Sequence, residues 1–223
     1  MGVKDKIIEL KAALAADCTL VAVSKTKPSS LINEAYASGH RDFGENKVQE
    51  LVEKYEELPK DIRWHMIGHL QRNKVKYLAS FVHLLHGIDS LKLLKEVNKQ
   101  AANHHRVINC LLQIHLADEA TKFGLSTDEL DDLLSSDEFA QLSNIKIVGL
   151  MGMATNTENQ AQVLSEFDAL KILFDKVQKG SFGSNVDLTH LSMGMSGDYP
   201  LALEAGSNMI RVGSKIFGER NYS

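Results

Sequence analysis

Thr19-Leu20-Val21-Ala22-Val23-Ser24-Lys25-Thr26-Lys27-Pro28 is a short apolar, β-branched run that ends in two lysines and a proline. Such a run reads as a strand buried on both faces, and strands of that kind belong to parallel sheets. Before it, residues 3–16 carry Ile7, Ile8, Leu10 and Leu14 among lysines and glutamates, one apolar stripe of a helix. After it, Pro28 and Ser29-Ser30 stop the strand and start a helix that ends at Gly39.

The same alternation runs to the end of the chain. Residues 41–44, 64–68, 81–88, 106–116, 145–153, 187–195 and 209–217 read as further strands. Residues 47–58, 71–80, 90–104, 126–142, 157–178 and 200–205 read as the helices between them. Eight strands, each but the last followed by a helix, predict an α/β protein whose residues 1–223 form a single (β/α)8 barrel of the TIM type. An open doubly wound sheet is the alternative. It usually carries a glycine-rich first turn, and none follows Val23.

The 223 residues carry 25 Lys+Arg and 29 Asp+Glu, a net charge of −4, which argues against a nucleic-acid partner. A hydrophobic share of 43% with 24% charged residues excludes disorder and fits a packed core. No apolar run approaches the roughly 18 residues of a membrane helix. The charged amphipathic start does not read as a secretory leader. Cys18 and Cys110 cannot make a disulfide framework, so a reducing, cytoplasmic setting is expected. Eight β/α units are expected to use the whole length and to leave none for a second domain.

In a barrel the chemistry sits where the strands end. Lys25 follows a buried run and shares the parity of Val21 and Val23, which points it toward the top of the barrel core. Two readings stand equally: a desolvated, imine-forming nucleophile, or a lysine that snorkels to the surface. Lys27 has the same parity but lies further into the loop. The strand at 187–195 ends in Ser192-Met193-Gly194-Met195-Ser196-Gly197-Asp198, and the last strand carries Arg211-Val212-Gly213-Ser214. Loops after the seventh and eighth strands are the recurring phosphate site of this fold, although glycine and serine also make ordinary turns. Arg211 lies between Ile210 and Val212, so it faces the barrel interior if those two face the helices. There it must be paired, and a structural ion pair is the competing reading.

The histidines suggest no metal. His65 and His69 are four apart on a strand, His83 and His86 have opposite parity, and no set gives three convergent ligands. No nucleophile elbow or P-loop signature is present. The lysines and glutamates of 50–57 read as a solvated helix face.

Long ordered blocks of the chain resemble one family. They are residues 21–28, Phe43-Gly44-Glu45-Asn46, 65–74, Lys122-Phe123-Gly124, Gly149-Leu150-Met151, 191–196 and 211–218. Together these look like the pyridoxal phosphate homeostasis protein family, also called the YggS/PROSC family. The resemblance covers essentially the whole chain. It implies a barrel similar to the N-terminal domain of alanine racemase, with pyridoxal 5′-phosphate (PLP) held as an imine on Lys25. It further implies that Ser196, Gly213 and Ser214 hold the phosphate and that Arg211 approaches the pyridine nitrogen. Asn46, His69 and Met193 complete the implied cofactor site. Gly197 and Ser214 stand where many members carry a bulkier polar residue and a threonine; Ser214 keeps the hydroxyl.

Arginine stays protonated and can only donate to the ring nitrogen, which weakens the cofactor as an electron sink. Racemisation also needs an acid or base on each face of the imine, and alanine racemase draws one from a second domain. The expectation is therefore a carrier or buffer of PLP in vitamin B6 homeostasis, not a robust enzyme, with no catalytic residues assigned. Its expected partners are the cofactor and PLP-dependent apo-enzymes, with no membrane or nucleic acid, and a monomeric state. The rival is an amino-acid racemase of weak activity. A cofactor-free, imine-forming aldolase would be colourless instead of yellow, and a protein–protein scaffold gives no reason for Lys25.

Overall fold

A computed structural model of the chain describes residues 2–116 and 123–219. Strands β1 Thr19–Val23, β2 Asp42–Glu45, β3 Arg63–Met66, β4 Leu84–Ile88, β5 Ile108–Ile114, β6 Ile145–Gly152, β7 Val186–Ser192 and β8 Met209–Val212 lie side by side in chain order. All are parallel, and β8 pairs back onto β1 to close the barrel. Around them run α1 Val3–Ala12, α2 Ser29–Ala37, α3 Val48–Glu57, α4 Leu91–Asn103, α5 Thr127–Ser135, α6 Asp137–Ala140, α7 Gln160–Gln178, α8 Tyr199–Glu204 and α9 Ser214–Phe217.

Three sequence expectations change. Residues 71–80 hold a short 3-10 helix, Arg72–Tyr77, in place of an α-helix. Val75 alone is buried within it, so it lacks the repeated apolar stripe that would hold a longer helix against the barrel. The fourth strand starts at Leu84, because residues 81–83 are still leaving the preceding turn. The last strand stops at Val212, where Gly213 turns the chain (φ −118°, ψ −72°) into α9. The eighth strand thus has its helix too.

Two apolar layers explain the alternation along each strand. Val21, Leu84, Leu111, Val148, Met151 and Met209 fill the barrel, with Ile67 and Met153 above them. Leu20, Ala22, Phe43, Trp64, Ile210 and Val212 face outward into the larger core beneath the helices. Helix α7 covers part of that surface with Val163, Phe167, Leu170, Phe174 and Val177, an i, i+4, i+7 stripe. The start of α5 is fixed by a capping box in which Ser126 and Glu129 satisfy each other's backbone N–H groups. Cys110 is buried and Cys18 half-buried, and both are free thiols. Lys122 of the family-like block lies outside the described residues. Among the described residues no helix is long and apolar enough to cross a membrane.

Gly149 shows how closely β6 and β7 approach where their register shifts, between Ile147 and Gly149. A Cβ at this position would lie 1.8 Å from the carbonyl oxygen of His190, a backbone atom that cannot step aside. Gly149→Ala is therefore expected to destabilise the protein by about 1–3 kcal/mol or more. Urea denaturation followed by circular dichroism measures it, and an unchanged midpoint would show that the strands part easily here.

Candidate functional site

The carboxyl ends of the strands open on a cleft of about 300 Å³, the small end of the range for ligand pockets. Lys25, Asn46, Ser196, Arg211, Gly213 and Ser214 line it together. Val23, Ile67, Met153 and Met195 give it apolar walls, and Lys27, Gly197 and Gly218 complete the rim. His69 and Met193 are placed elsewhere. His69 is exposed, stacks on Phe123 (centroids 4.0 Å apart, planes at 16°) and sets Nδ1 3.4 Å from Asp89 Oδ2. Met193 is fully buried in the layer under the helices, because Ser192 takes the inward-facing position.

The register places these groups. Val21 pairs with Arg211, so the end of β1 and the top of β8 are neighbours on the rim. Gly68 packs against the loop after β2: a Cβ there would sit 2.4 Å from the carbonyl oxygen of Asn46, so only glycine lets the β2 and β3 loops close on each other. The loops of β7 and β8 are tied by the Gly213 N–H, which donates to Ser196 Oγ at 3.1 Å. Ser196 keeps its own O–H for a ligand.

A buried polar cluster holds the Lys25 turn from outside the barrel. Lys54 Nζ donates to the Ser24 carbonyl oxygen (2.8 Å), Glu45 Oε1 (2.8 Å) and Glu50 Oε1 (2.7 Å). Ser24 Oγ donates to Glu45 Oε1 (2.6 Å), and the Thr26 N–H donates to Glu50 Oε1 (2.5 Å). Thr26 has φ +64°, a left-handed conformation that a β-branched residue seldom adopts and that these bonds must enforce. The reading of 50–57 as a solvated face holds at Glu53, Glu56 and Glu57, which are exposed, and is corrected at Lys54, which is buried. Lys54 shares a helix face with Leu51 and Leu58, the spacing that could have signalled its burial. Burial pushes the Glu45 carboxyl up to about 7, with Lys54 and Ser24 opposing that rise.

Arg211 is 4% exposed and donates from Nη1 to Ser192 Oγ (2.7 Å) and from Nη2 to the Gly152 carbonyl oxygen (3.0 Å). Both acceptors are neutral, so the expected alternative of a structural ion pair does not hold among the described residues. Burial lowers its pKa to about 10, which leaves the guanidinium charged at neutral pH. Lys25, Lys27 and Arg211 bring three cations to the cleft, and no carboxylate lines it among the described residues. On a chain of net charge −4 this gathers positive charge at the cleft, which suits an anion.

The expectation that no three metal ligands converge is also corrected. Asp42, His65 and His83 bring ligand atoms within 4.8 Å of one another at the opposite, amino-terminal end of the barrel. Strand parity did not reveal it, because His83 lies ahead of β4 and Asp42 comes from the neighbouring β2. A cation already sits there: Arg63 donates from Nε and Nη2 to Asp42 Oδ1 (2.7 Å) and Oδ2 (2.5 Å).

Residues 3–221 match the family model described as the alanine racemase N-terminal domain. A pyridoxal phosphate homeostasis protein of Aquifex aeolicus is 41% identical over 204 residues, 91% of this chain and 87% of that protein. The protein of the same name from Escherichia coli is 38% identical over 218 residues, 93% of this chain and 88% of the other. PipY of Synechococcus elongatus, solved with PLP bound, superposes with a TM-score of 0.87 at 34% identity, over 97% of this chain and all of PipY. Alanine racemase of Bartonella henselae shares the fold, with a TM-score of 0.71 at 14% identity over 98% of this chain and 60% of that enzyme.

The raised pKa of Glu45 has a measurable sign. The folded protein holds this proton more tightly than the unfolded chain, whose value is near 4.5. The stabilisation is thus full below about 4.5 and is lost as pH rises through about 7. Between pH 5 and 8 the unaltered protein should lose about 1–3 kcal/mol relative to Glu45→Gln. Parallel denaturation curves of the two across that interval would refute the assignment.

Proposed function

The chain belongs to the pyridoxal phosphate homeostasis protein family, and from that premise we propose that the cleft binds pyridoxal 5′-phosphate and that the protein carries and buffers this cofactor. The cofactor supplies an aldehyde that a lysine amine can hold covalently and a pyridine ring that draws electrons from an attached amino acid. The donor set fits it. Lys25 offers the amine for the covalent link, formed with loss of water, on a turn held by the Lys54 cluster. Ser196, Gly213 and Ser214 are the residues that would hold the phosphate, beside Lys27 and Gly197. Lys27 Nζ itself donates to the Glu219 carbonyl oxygen at 2.6 Å, which ties the β1 loop to the segment after α9.

The observation that carries the carrier reading is the state of Arg211. Charged, buried and bonded among the described residues only to neutral oxygens, it can donate to a ring nitrogen but cannot receive a proton from it. A ring kept unprotonated is a poor electron sink, so amino-acid turnover is slow. The described lining residues include no histidine, tyrosine, cysteine or carboxylate to serve as a second proton-transfer group. In this reading residues 1–223 act as one cytoplasmic, monomeric unit that hands the cofactor to PLP-dependent apo-enzymes. A residual racemase is the second reading, and Lys27 in the same cleft as Lys25 is what favours it.

Addition of PLP should turn the purified protein yellow, and borohydride should fix the cofactor to Lys25. Lys25→Ala should abolish the fixed adduct. Mass mapping of the adduct to Lys27 would overturn the assignment of the lysine. A chiral assay with alanine should show no robust racemisation; rapid turnover lost in Lys25→Ala or Lys27→Ala would replace the carrier by an enzyme.

A further inference from the structure

A single file of hydrogen bonds runs through the barrel from the cleft to its opposite end. Below Arg211 Nη1 lies Ser192 Oγ (2.7 Å), and Ser192 Oγ lies 3.3 Å from His86 Nδ1. His86 Nε2 is 2.9 Å from His65 Nδ1, and His65 Nε2 is 3.2 Å from Asp42 Oδ1. Asp42 is held in turn by Arg63. Ser192 and His86 are fully buried and His65 is 1% exposed, so the file is shielded from bulk water.

The two ends of this file have fixed polarity. Arg211 has only donors, so Ser192 Oγ accepts from it, and its own hydrogen is the one offered to a neutral His86 at Nδ1. That makes His86 the Nε2–H tautomer, which donates to His65 Nδ1. His65 is then also the Nε2–H tautomer and donates to Asp42. An ionised carboxylate has only acceptors, so the order forced by the arginine at one end is the order the aspartate demands at the other. Burial favours the neutral imidazole at His86. Arg63 donates to both oxygens of Asp42, so the carboxylate meets His65 as an acceptor. With both rings neutral, any other placement of the protons leaves a buried donor facing a donor or an acceptor facing an acceptor.

We propose that Ser192, His86 and His65 are positioning residues that fix the direction in which Arg211 presents its guanidinium to the cleft. Two of its five N–H groups are committed to Ser192 and Gly152, and the rest of the fork is thereby aimed. The part of the inference that concerns the cofactor ring rests on the PLP reading above; the proton order does not.

Histidine tautomers in the cofactor-free protein are read by long-range nitrogen–proton NMR at neutral pH. His65 and His86 should both appear as neutral Nε2–H tautomers. A charged ring, or an Nδ1–H tautomer at either residue, would overturn the file. Ser192→Ala removes one acceptor and one donor with little change in volume. It should weaken PLP binding about tenfold and move the visible absorbance band, with Ser192→Thr recovering most of both. Affinity within twofold of the unaltered protein with an unmoved band would show that the file does not position Arg211. If the unaltered protein binds no PLP, the cofactor reading falls, and the tautomers still decide the proton order.

Discussion

Closure of β8 onto β1 is the constraint on which the rest of this structure depends. Thr19 to Ala22 pair in parallel with Met209 to Val212, so segments almost two hundred residues apart become neighbours. The closed sheet has no free edge, and its side chains must alternate strictly between the inner fill and the layer under the helices. Once Val21 is inside, Arg211 opposite it is inside as well, and the chain beyond Val23 emerges on the same rim. A cationic cleft follows from that pairing and needs no special feature in either strand.

The barrel interior divides along its axis into an apolar packing layer and a polar file. Valine, leucine and methionine fill most of it, as expected of a barrel core. A guanidinium in such a place is costly without hydrogen bonds to satisfy it. This protein bonds it to a serine hydroxyl and a backbone carbonyl, and Asp198 in the loop after β7 is the carboxylate whose charge acts on it. The arrangement keeps the cleft itself free of carboxylates among the described residues, which suits an anionic ligand, and keeps Arg211 a donor.

Much of this was legible in one dimension. The alternation of buried runs with amphipathic stripes gave the class and the strand count, and parity gave the inward direction of Arg211. Lys25, Ser196, Gly213 and Ser214 stood out because they follow strands in a fold whose loops carry the chemistry. The positions that one dimension did not reveal have local causes. Lys54 looked solvated because its burial comes from Ser24, just past β1, and Glu45, at the end of β2. His69 and Met193 sit inside family-like blocks, but one faces Phe123 and Asp89 and the other faces the helices.

The sequence by itself determined the periodicities, and with them the barrel, its inside and its outside, because burial on two faces or on one stripe is a property of consecutive residues. It determined as well which residue types stand at the strand ends. Only the tertiary structure decided which of them meet. Asp42, His65, His86, Ser192 and Arg211 come from five different strands, and their proton order exists only where register brings each donor within about 3 Å of one acceptor. Strand register is fixed by packing and closure across the whole sheet, a sum over distant residues that no local stretch of sequence contains.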